Sequence, residues 1–159
     1  MLDARPDDER LRALEARWHA EIPISAVMGI RVLGFGAGVL TTAAPLARNV
    51  NVHGTAFAGS QFSLASLCGW GQVWLQLAAR DWSASIVFVG GNIRCLAPVD
   101  ADMEARCCWT ASADEALCAL QDGDRTRVML DVELRVAGEL AASFSGEYGI
   151  RRRPVAIGQ

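Results

Sequence analysis

The longest pattern in the chain is an uncharged stretch from Asn49 to Ala79, which contains no Asp, Glu, Lys or Arg. From Thr55 onward, large apolar residues recur at steps of three and four, which is the spacing of one helix face. Ala, Gly and Ser fill most of the other faces, and a helix that is apolar or small all round is a buried helix. The large residues are Phe57, Leu64, Leu67, Trp70, Trp74 and Leu77.

A membrane span would also need about 20 apolar residues in a row. This stretch instead carries Gln61, Gln72 and Gln76, and no second apolar span or polybasic flank accompanies it. We therefore expect no membrane contact. The pattern predicts a helix wrapped by a sheet, with its N-terminus open to a ligand.

Shorter patterns predict the remaining elements. Leu11, Leu14, Trp18 and Ile22 share one face of an amphipathic helix over about 7–22, which Pro23 should end. Ser112 to Glu115 is a capping-box signature for a short helix. Leu140 and Tyr148 are expected to face the core from the last strand. Apolar or alternating runs predict strands over 29–35, 39–44, 85–89, 92–96, 103–109, 127–136 and 139–148, with a bend at 90–91.

Length and composition favour one globular domain over 1–159, with a loose tail from about 152. The chain has 159 residues, is 52% hydrophobic and carries a net charge of −3. One long helix among antiparallel strands is an α+β domain, and its edge strand would need cover from a second copy. A mildly acidic chain is a poor candidate for nucleic-acid binding.

The five cysteines show no Cys-x-x-Cys spacing, and the chain has only two His. We therefore expect no metal site and no cofactor. We expect the cysteines to act as small apolar residues in or near the core. The first ten residues lack an apolar signal core. Together with the free thiols, this predicts a cytoplasmic location.

The segment before the long helix resembles a motif of the hotdog fold, the scaffold of many enzymes and binders of acyl thioesters. Small-thioesterase hotdogs carry Asn-x-x-Gly-x-x-His-Gly-Gly and then a helix ending in Leu-x-Asp. Asn51, Gly54, Gly59 and Leu64 match this pattern. The resemblance implies a long central helix wrapped by a curved antiparallel sheet.

Two departures bear on the chemistry. Phe57 stands where the motif has its His, and Ser66 stands where it has its catalytic acid. Thioester hydrolysis needs a base or a nucleophile, and no carboxylate lies between Arg48 and Arg80. The carboxylates that could enter from elsewhere, including a partner subunit, are those of Asp81, Asp100, Asp131 and Glu133.

Several segments together are similar to the "putative thioesterase" hotdog domain associated with malonyl-ACP decarboxylation. They include 21–23, 28–30, 49–60, 69–71 and 93–98. The resemblance implies a malonyl-ACP decarboxylase that makes acetyl-ACP to prime fatty-acid synthesis. Loss of CO₂ needs no protein nucleophile, because the main task is to stabilise an enolate oxygen, for which a helix N-terminus is suited.

Four residues are candidates for the chemistry itself. Asn51 is the first candidate for a donor to the oxyanion or for holding the loop that presents one, with a turn-forming role as the alternative. Asn49 is the second, and an ordinary loop role is equally open. Thr55 would cap the helix or bind the substrate carboxylate, with the cap as the default. His53 would protonate the enolate carbon, although a structural role is more common for a lone His.

The substrate would be bound by neighbouring residues of the same loop and helix and by one strand. Ser66 is also a candidate nucleophile, but the sequence offers no base paired with it, which disfavours this role. These predicted substrate-binding residues are Gly54, Phe57, Gly59, Ser60, Ser66, Asn92 and Arg94.

The expected partners are thioesters of acyl carrier protein or coenzyme A, and a second copy in a homodimer or a dimer of dimers. Arg94 and the cluster at 151–153 are candidates for contact with an acidic carrier, and a solvated basic cluster is equally open. An acyl-CoA or acyl-ACP thioesterase is the alternative activity. A binder of acyl thioesters without catalysis is a further alternative.

Overall fold

The computed structural model describes residues 6–153. Four helices, two short 3-10 turns and six strands follow one another along these residues. The helices are α1 (Pro6–Glu21), α2 (Pro23–Met28), α3 (Ala58–Ala79) and α4 (Ala111–Cys118). The strands are β1 (Arg31–Gly36), β2 (Val39–Ala44), β3 (Ala84–Cys95), β4 (Met103–Cys108), β5 (Arg125–Val136) and β6 (Glu139–Arg152). The 3-10 turns cover Leu46–Arg48 and Ala119–Gln121.

The six strands form one antiparallel sheet in the order β1-β2-β4-β5-β6-β3. Side chains alternate across it, so Val128, Leu130, Val132 and Leu134 of β5 are buried toward α3. β3 is one strand with a register shift between Phe88 and Gly90, which is where the sequence predicted a bend. The sheet thus stays continuous while it curves around the helix.

The long helix α3 is buried, as its uncharged sequence predicted. Leu64, Ala65, Cys68 and Val73 have no exposed surface. The small residues allow close packing, since a Cβ at Gly69 would lie 2.1 Å from the Tyr148 hydroxyl. Together with the wrapped sheet, this confirms the α+β hotdog fold. No helix in the described residues has the length and apolar character needed to cross a bilayer.

α1 ends at Glu21, just before Pro23, as predicted, and Pro23 then begins α2, because proline is tolerated at the first helical position. Two other local predictions were wrong. The cap of α4 is Thr110, whose hydroxyl accepts the Ala113 N–H, so Ser112 lies inside the helix. A register shift in the β5–β6 pair turns Leu140 outward, where it is 39% exposed.

The five cysteines differ in burial, and Cys118 is half-buried. Cys68 and Cys107 are buried as predicted, and burial raises the pKa of the Cys68 thiol to about 12. Cys95 and Cys108 are exposed, so the prediction that every cysteine acts as a core residue was wrong for these two. Position in a strand, not residue type, decides this, because Cys107 and Cys108 point to opposite faces of β4.

The C-terminal end of α3 is held by a polar cluster around Asp114 of α4. Arg80 forms an ion pair with this carboxylate, and Trp109 Nε1 donates to it over 2.9 Å. Arg80 also donates to the Gln76 carbonyl oxygen over 3.0 Å. The Trp109 hydrogen bond and the Arg80 charge hold the pKa of Asp114 below its ordinary value. The cluster therefore joins α3 to α4.

The two edges of the sheet differ. At the β1 edge, Glu15 of α1 accepts the Val32 N–H over 2.7 Å, and His19 forms a 2.7 Å hydrogen bond with the Ile30 carbonyl. At the β3 edge, Val87 and Val89 are 61% and 47% exposed. One edge is therefore covered by the chain itself, and the other presents apolar side chains to solvent.

The C-terminal tail, predicted to be loose from about residue 152, is described only as far as residue 153. Arg152 still belongs to β6, and the Arg153 N–H donates to the Ser83 carbonyl over 3.0 Å. Residues 154–159 lie outside the described residues.

Candidate functional site

The loop before α3 is a tight turn closed by backbone pairing. Val50 and Ala56 form an isolated antiparallel bridge, and the Asn51 N–H donates to the Thr55 carbonyl over 2.8 Å. Gly54 has a φ of +76°, a left-handed conformation that suits glycine. The turn therefore places 51–55 at the surface beside the helix start.

Asn51 organises this turn from within. Its Oδ1 accepts the His53 N–H over 2.8 Å and the Thr55 N–H over 3.3 Å. Its Nδ2 donates to the Thr55 hydroxyl over 3.0 Å. Because these contacts use both ends of the amide, the geometry supports the loop-holding alternative for Asn51 over a direct donor. His53 itself is exposed on the turn.

Asn49 is committed to the fold. Its side chain is 3% exposed, and its Nδ2 donates to the carbonyls of Met28 and Pro45 over 2.9 and 2.8 Å. Its own carbonyl accepts the Phe57 N–H over 2.7 Å. These bonds leave no amide hydrogen of Asn49 for a substrate, so the loop role fits and the donor role does not.

The helix start has unpaired donors. Its N-cap is Phe57, which provides no side-chain cap, so the interpretation of Thr55 as the cap was wrong. The N–H groups of Ser60 and Gln61 donate to the Phe57 carbonyl. Those of Ala58 and Gly59 have no acceptor within the described part of the chain, as expected for the first positions of a helix. Ala58 is exposed, so the partial positive charge of α3 meets solvent there.

The Phe57 ring folds over this start. A Cβ at Gly59 would lie 2.3 Å from Phe57 Cε1, so only glycine lets the ring lie this close. The ring is 56% exposed. The free N–H groups therefore lie beside an apolar surface that a ligand or a second copy could cover.

Ser63 and Ser66 donate their hydroxyl groups to carbonyls of their own helix. Ser66 Oγ donates to the Ser63 carbonyl over 3.1 Å, and the Tyr148 hydroxyl donates to the Ser66 carbonyl over 2.9 Å. Burial raises the pKa of Tyr148. No His or carboxylate contacts Ser66 in the described residues, so a serine nucleophile has no base there. Ser60 lies half-buried in the first turn.

Two polar contacts near the start were not predicted. Gln61, only 5% exposed, donates to the Ala56 carbonyl over 3.1 Å. Its Oε1 accepts a 3.8 Å contact from the Cys95 thiol at the end of β3. A buried-face glutamine in the first turn of an uncharged helix was the signal that could have found this link. The link ties the end of β3 to the start of α3.

Of the four carboxylates considered, one lies at this end of the molecule. The Val99 carbonyl accepts the Ala56 N–H over 2.8 Å, so the next residue, Asp100, lies beside the loop in space. Asp100 is exposed and has no hydrogen bond or ion pair within residues 6–153. Asp81 follows the opposite end of α3, and Asp131 and Glu133 line the outer face of the sheet.

The predicted strand and tail residues are not brought to the start of α3. Asn92 and Arg94 pair with Ser145 and Ser143 and line a cavity of about 680 Å³ on the outer sheet face, away from the helix. Arg151 and Arg152 pair with the beginning of β3, which follows the far end of α3. The candidate site therefore consists of the turn, the first residues of α3 and the segment around Asp100.

Comparison with known proteins agrees with the architecture. The family described as "Putative thioesterase (yiiD_Cterm)" matches residues 11–152. The structure is similar to that of a "putative thioesterase" from Shewanella oneidensis, with 40% identity, a TM-score of 0.85 and coverage of 92% of this chain and 99% of that one.

More distant similarities share the fold. A protein of unknown function from Chlorobaculum tepidum is 24% identical, with a TM-score of 0.85 and coverage of 93% and 97% of the two chains. A thioesterase from Haemophilus influenzae is 16% identical, with a TM-score of 0.72 and coverage of 93% and 94%.

Proposed function

Because the chain belongs to the "Putative thioesterase (yiiD_Cterm)" family, we propose that it hydrolyses acyl thioesters at the start of α3. The observation that carries the proposal is the pair of N–H groups at Ala58 and Gly59 without acceptors at the open end of a buried helix. Such donors stabilise the oxygen that becomes negative when a carbonyl is attacked.

In this reaction, water attacks the thioester carbonyl carbon and the Ala58 and Gly59 N–H groups bind the resulting oxyanion. The C–S bond then breaks as the carbonyl re-forms. The carboxylic acid and the thiol leave, with the water proton passing through a base to the sulfur. The Asn51 turn fixes the start of the helix, so the donors need no rearrangement as charge develops.

We assign the base to Asp100, either from the same chain or from a partner copy. Of the four carboxylates considered, Asp100 is the one beside the loop at the helix start. Its oxygens form no hydrogen bond or ion pair with other described residues. Ser66 is not assigned a nucleophilic role, because its hydroxyl donates to a helix carbonyl.

The experiment supplies acetyl, malonyl and long-chain thioesters of coenzyme A and of acyl carrier protein, and identifies products by mass spectrometry. Hydrolysis predicts free thiol and free acid. Asp100→Asn should lower kcat about 10²-fold or more, the usual contribution of a general base. Asp131→Asn on the outer face is the matched control and should have wild-type rates. Equal rates for both variants would remove Asp100 from the mechanism.

A second activity, decarboxylation of a malonyl thioester, is favoured by the absence of any charged side chain on α3. Here the bond between the α-carbon and the carboxylate breaks, CO₂ leaves, and the same N–H groups bind the enolate oxygen. A proton then adds to the α-carbon to give the acetyl thioester. The same assay separates the two activities, because intact acetyl thioester with CO₂ would replace free thiol.

The proposed partners are thioesters of coenzyme A or acyl carrier protein and a second copy of the chain. The exposed Val87 and Val89 of the β3 edge support a homodimer through this strand, with a dimer of dimers as the larger form. Sedimentation measures the state, and a monomer at micromolar concentration would contradict it.

A further inference from the structure

A groove of about 710 Å³ lies between α1, the turn after α2 and the segment after β2. It belongs to neither the helix start nor the outer sheet face. The ionisable side chains that line it are those of Glu15, His19, Arg31, Arg48 and Asp102, and Gly29 lies in its wall.

The acidic side chains of this groove are already engaged. Glu15 accepts the Val32 N–H over 2.7 Å, and Asp102 accepts the Leu46 N–H over 2.8 Å. The ring of His19 is bonded to a backbone carbonyl. The negative charges of the groove are therefore partly balanced by backbone donors.

The arginines are free by comparison. Arg31 is exposed, and its side chain makes no hydrogen bond or ion pair with another described residue. Arg48 makes one long contact, 3.4 Å from Nη1 to the Ala26 carbonyl. Its stem lies against Gly29, where a Cβ would approach Arg48 Cδ to 3.2 Å. The absence of a side chain at Gly29, which has a φ of +69°, thus seats the arginine at the groove.

The groove lies at the same end of the molecule as the start of α3. Pro45 lines the groove, and its carbonyl accepts the Asn49 side chain over 2.8 Å. The Asn49 carbonyl in turn accepts the N–H of Phe57, the N-cap of α3. One buried residue therefore joins the wall of the groove to the candidate site.

We propose that Arg31 and Arg48 bind the phosphate of the carrier that presents the thioester. The inference rests on the proposed function, since it concerns the same substrate. Guanidinium groups match phosphate oxygens in pairs and stay charged at every physiological pH. A pantetheine arm holds its phosphate far from its thioester sulfur, so the phosphate needs a site apart from the reacting carbon. Coenzyme A and acyl carrier protein both supply this chemistry.

The experiment compares the wild type with Arg31→Gln/Arg48→Gln, in which glutamine keeps part of each stem. The control is Arg125→Gln, which removes one exposed arginine from the beginning of β5. The substrates share one acyl group on pantetheine, 4′-phosphopantetheine, coenzyme A and acyl carrier protein. The first two differ only in the phosphate.

The double variant should raise KM for the phosphopantetheine thioester at least tenfold and leave kcat/KM for the pantetheine thioester unchanged. The control should match the wild type on every substrate. Given that rise, the carrier whose KM also rises tenfold or more, coenzyme A or acyl carrier protein, is the one that uses the groove. Equal losses with and without phosphate, or no loss on any substrate, overturn the inference.

Failure of the proposed function has a different signature. If the wild type turns over none of these thioesters, the activity proposal fails, and calorimetry then decides the inference. Coenzyme A and 4′-phosphopantetheine should bind the wild type at least tenfold more tightly than the double variant. Equal binding to both proteins, or no binding to either, overturns the phosphate site.

Discussion

The two ends of α3 are built in opposite ways. At the C-terminal end, Arg80, Asp114 and Trp109 form a connected polar cluster that anchors the helix to α4. At the N-terminal end, the cap has no side-chain bond and two N–H groups are left without acceptors. Nothing in helix chemistry requires this asymmetry, since Ser, Thr or Asp at the cap would stabilise the start by about 1 kcal/mol. The unpaired end is where the fold gives up stability, and the proposed function uses the donors left there.

The largest effect should come from disturbing the open end. Asn51→Ala removes the acceptor of the His53 and Thr55 N–H groups, so the turn loosens and the helix start is misplaced. We expect kcat on the thioester substrate to fall about 10²-fold, the size of effect that small misplacements produce.

Asn51→Asp is the comparison variant, because it keeps an oxygen that can accept the His53 and Thr55 N–H groups, loses the donating Nδ2 and adds a negative charge. It should retain more of the rate than the Ala variant, and both proteins should unfold at nearly the wild-type temperature. If the Asp variant is as slow as the Ala variant, the accepted bonds alone do not sustain the rate.

A pair of glycine substitutions compares the open start with the closed body of the helix. Gly69→Ala places a Cβ 2.1 Å from the hydroxyl of Tyr148, a fully buried side chain that cannot move away. It should lower the free energy of unfolding by about 1–3 kcal/mol. Gly59→Ala meets a ring that is 56% exposed and can rotate, so its stability should change by less than about 1 kcal/mol. Urea unfolding of both variants measures the difference, and equal losses would mean that the start is as tightly packed as the middle.

The smallest effect concerns the anchored end. Asp114→Asn removes the ion pair with Arg80 and keeps an oxygen for Trp109. The side chain is 41% exposed, so the loss should be below about 1 kcal/mol at pH 7, with kcat unchanged.

The pH dependence of that loss follows from the direction of the shift. Because the folded pKa of Asp114 lies below its ordinary value, its contribution is complete above about pH 4 and disappears as the pH falls through the lowered pKa. The stability difference between wild type and variant should therefore shrink in acid, as followed by urea unfolding from pH 7 to pH 3. A difference that stays constant would show that the charge of Asp114 contributes nothing.

The repeating patterns of the sequence carried most of the fold. The alternation along β5 indicates its buried face, and the uncharged run of α3 indicates a buried helix. Both can be read from the sequence because the backbone geometry fixes the period at which side chains return to one face. Leu140 escaped this logic because an irregularity in the β5–β6 pairing shifts the alternation by one residue. Irregular pairing depends on the partner strand, which a single run of residues does not encode.

The candidate site was predictable in place but less so in its parts. The turn at Asn51 and the open start of α3 lie adjacent in sequence, so local spacing found them. Asn92 was assigned to the site from its place beside the predicted bend, and Arg94 from its charge. The strand presents both to the outer face of the sheet. Arg31 and Arg48 were not considered, because their proximity arises only when α2 and β2 pack around Asn49.

The covered β1 edge has a consequence for assembly. With Glu15 and His19 occupying backbone groups of Ile30 and Val32, strand addition on that side meets a helix. Among the described strands only β3 is left to pair, so in the proposed dimer the joined sheet would end in α1 on both sides. The same covering that protects one edge would therefore keep the joined sheet from growing into an open-ended fibre.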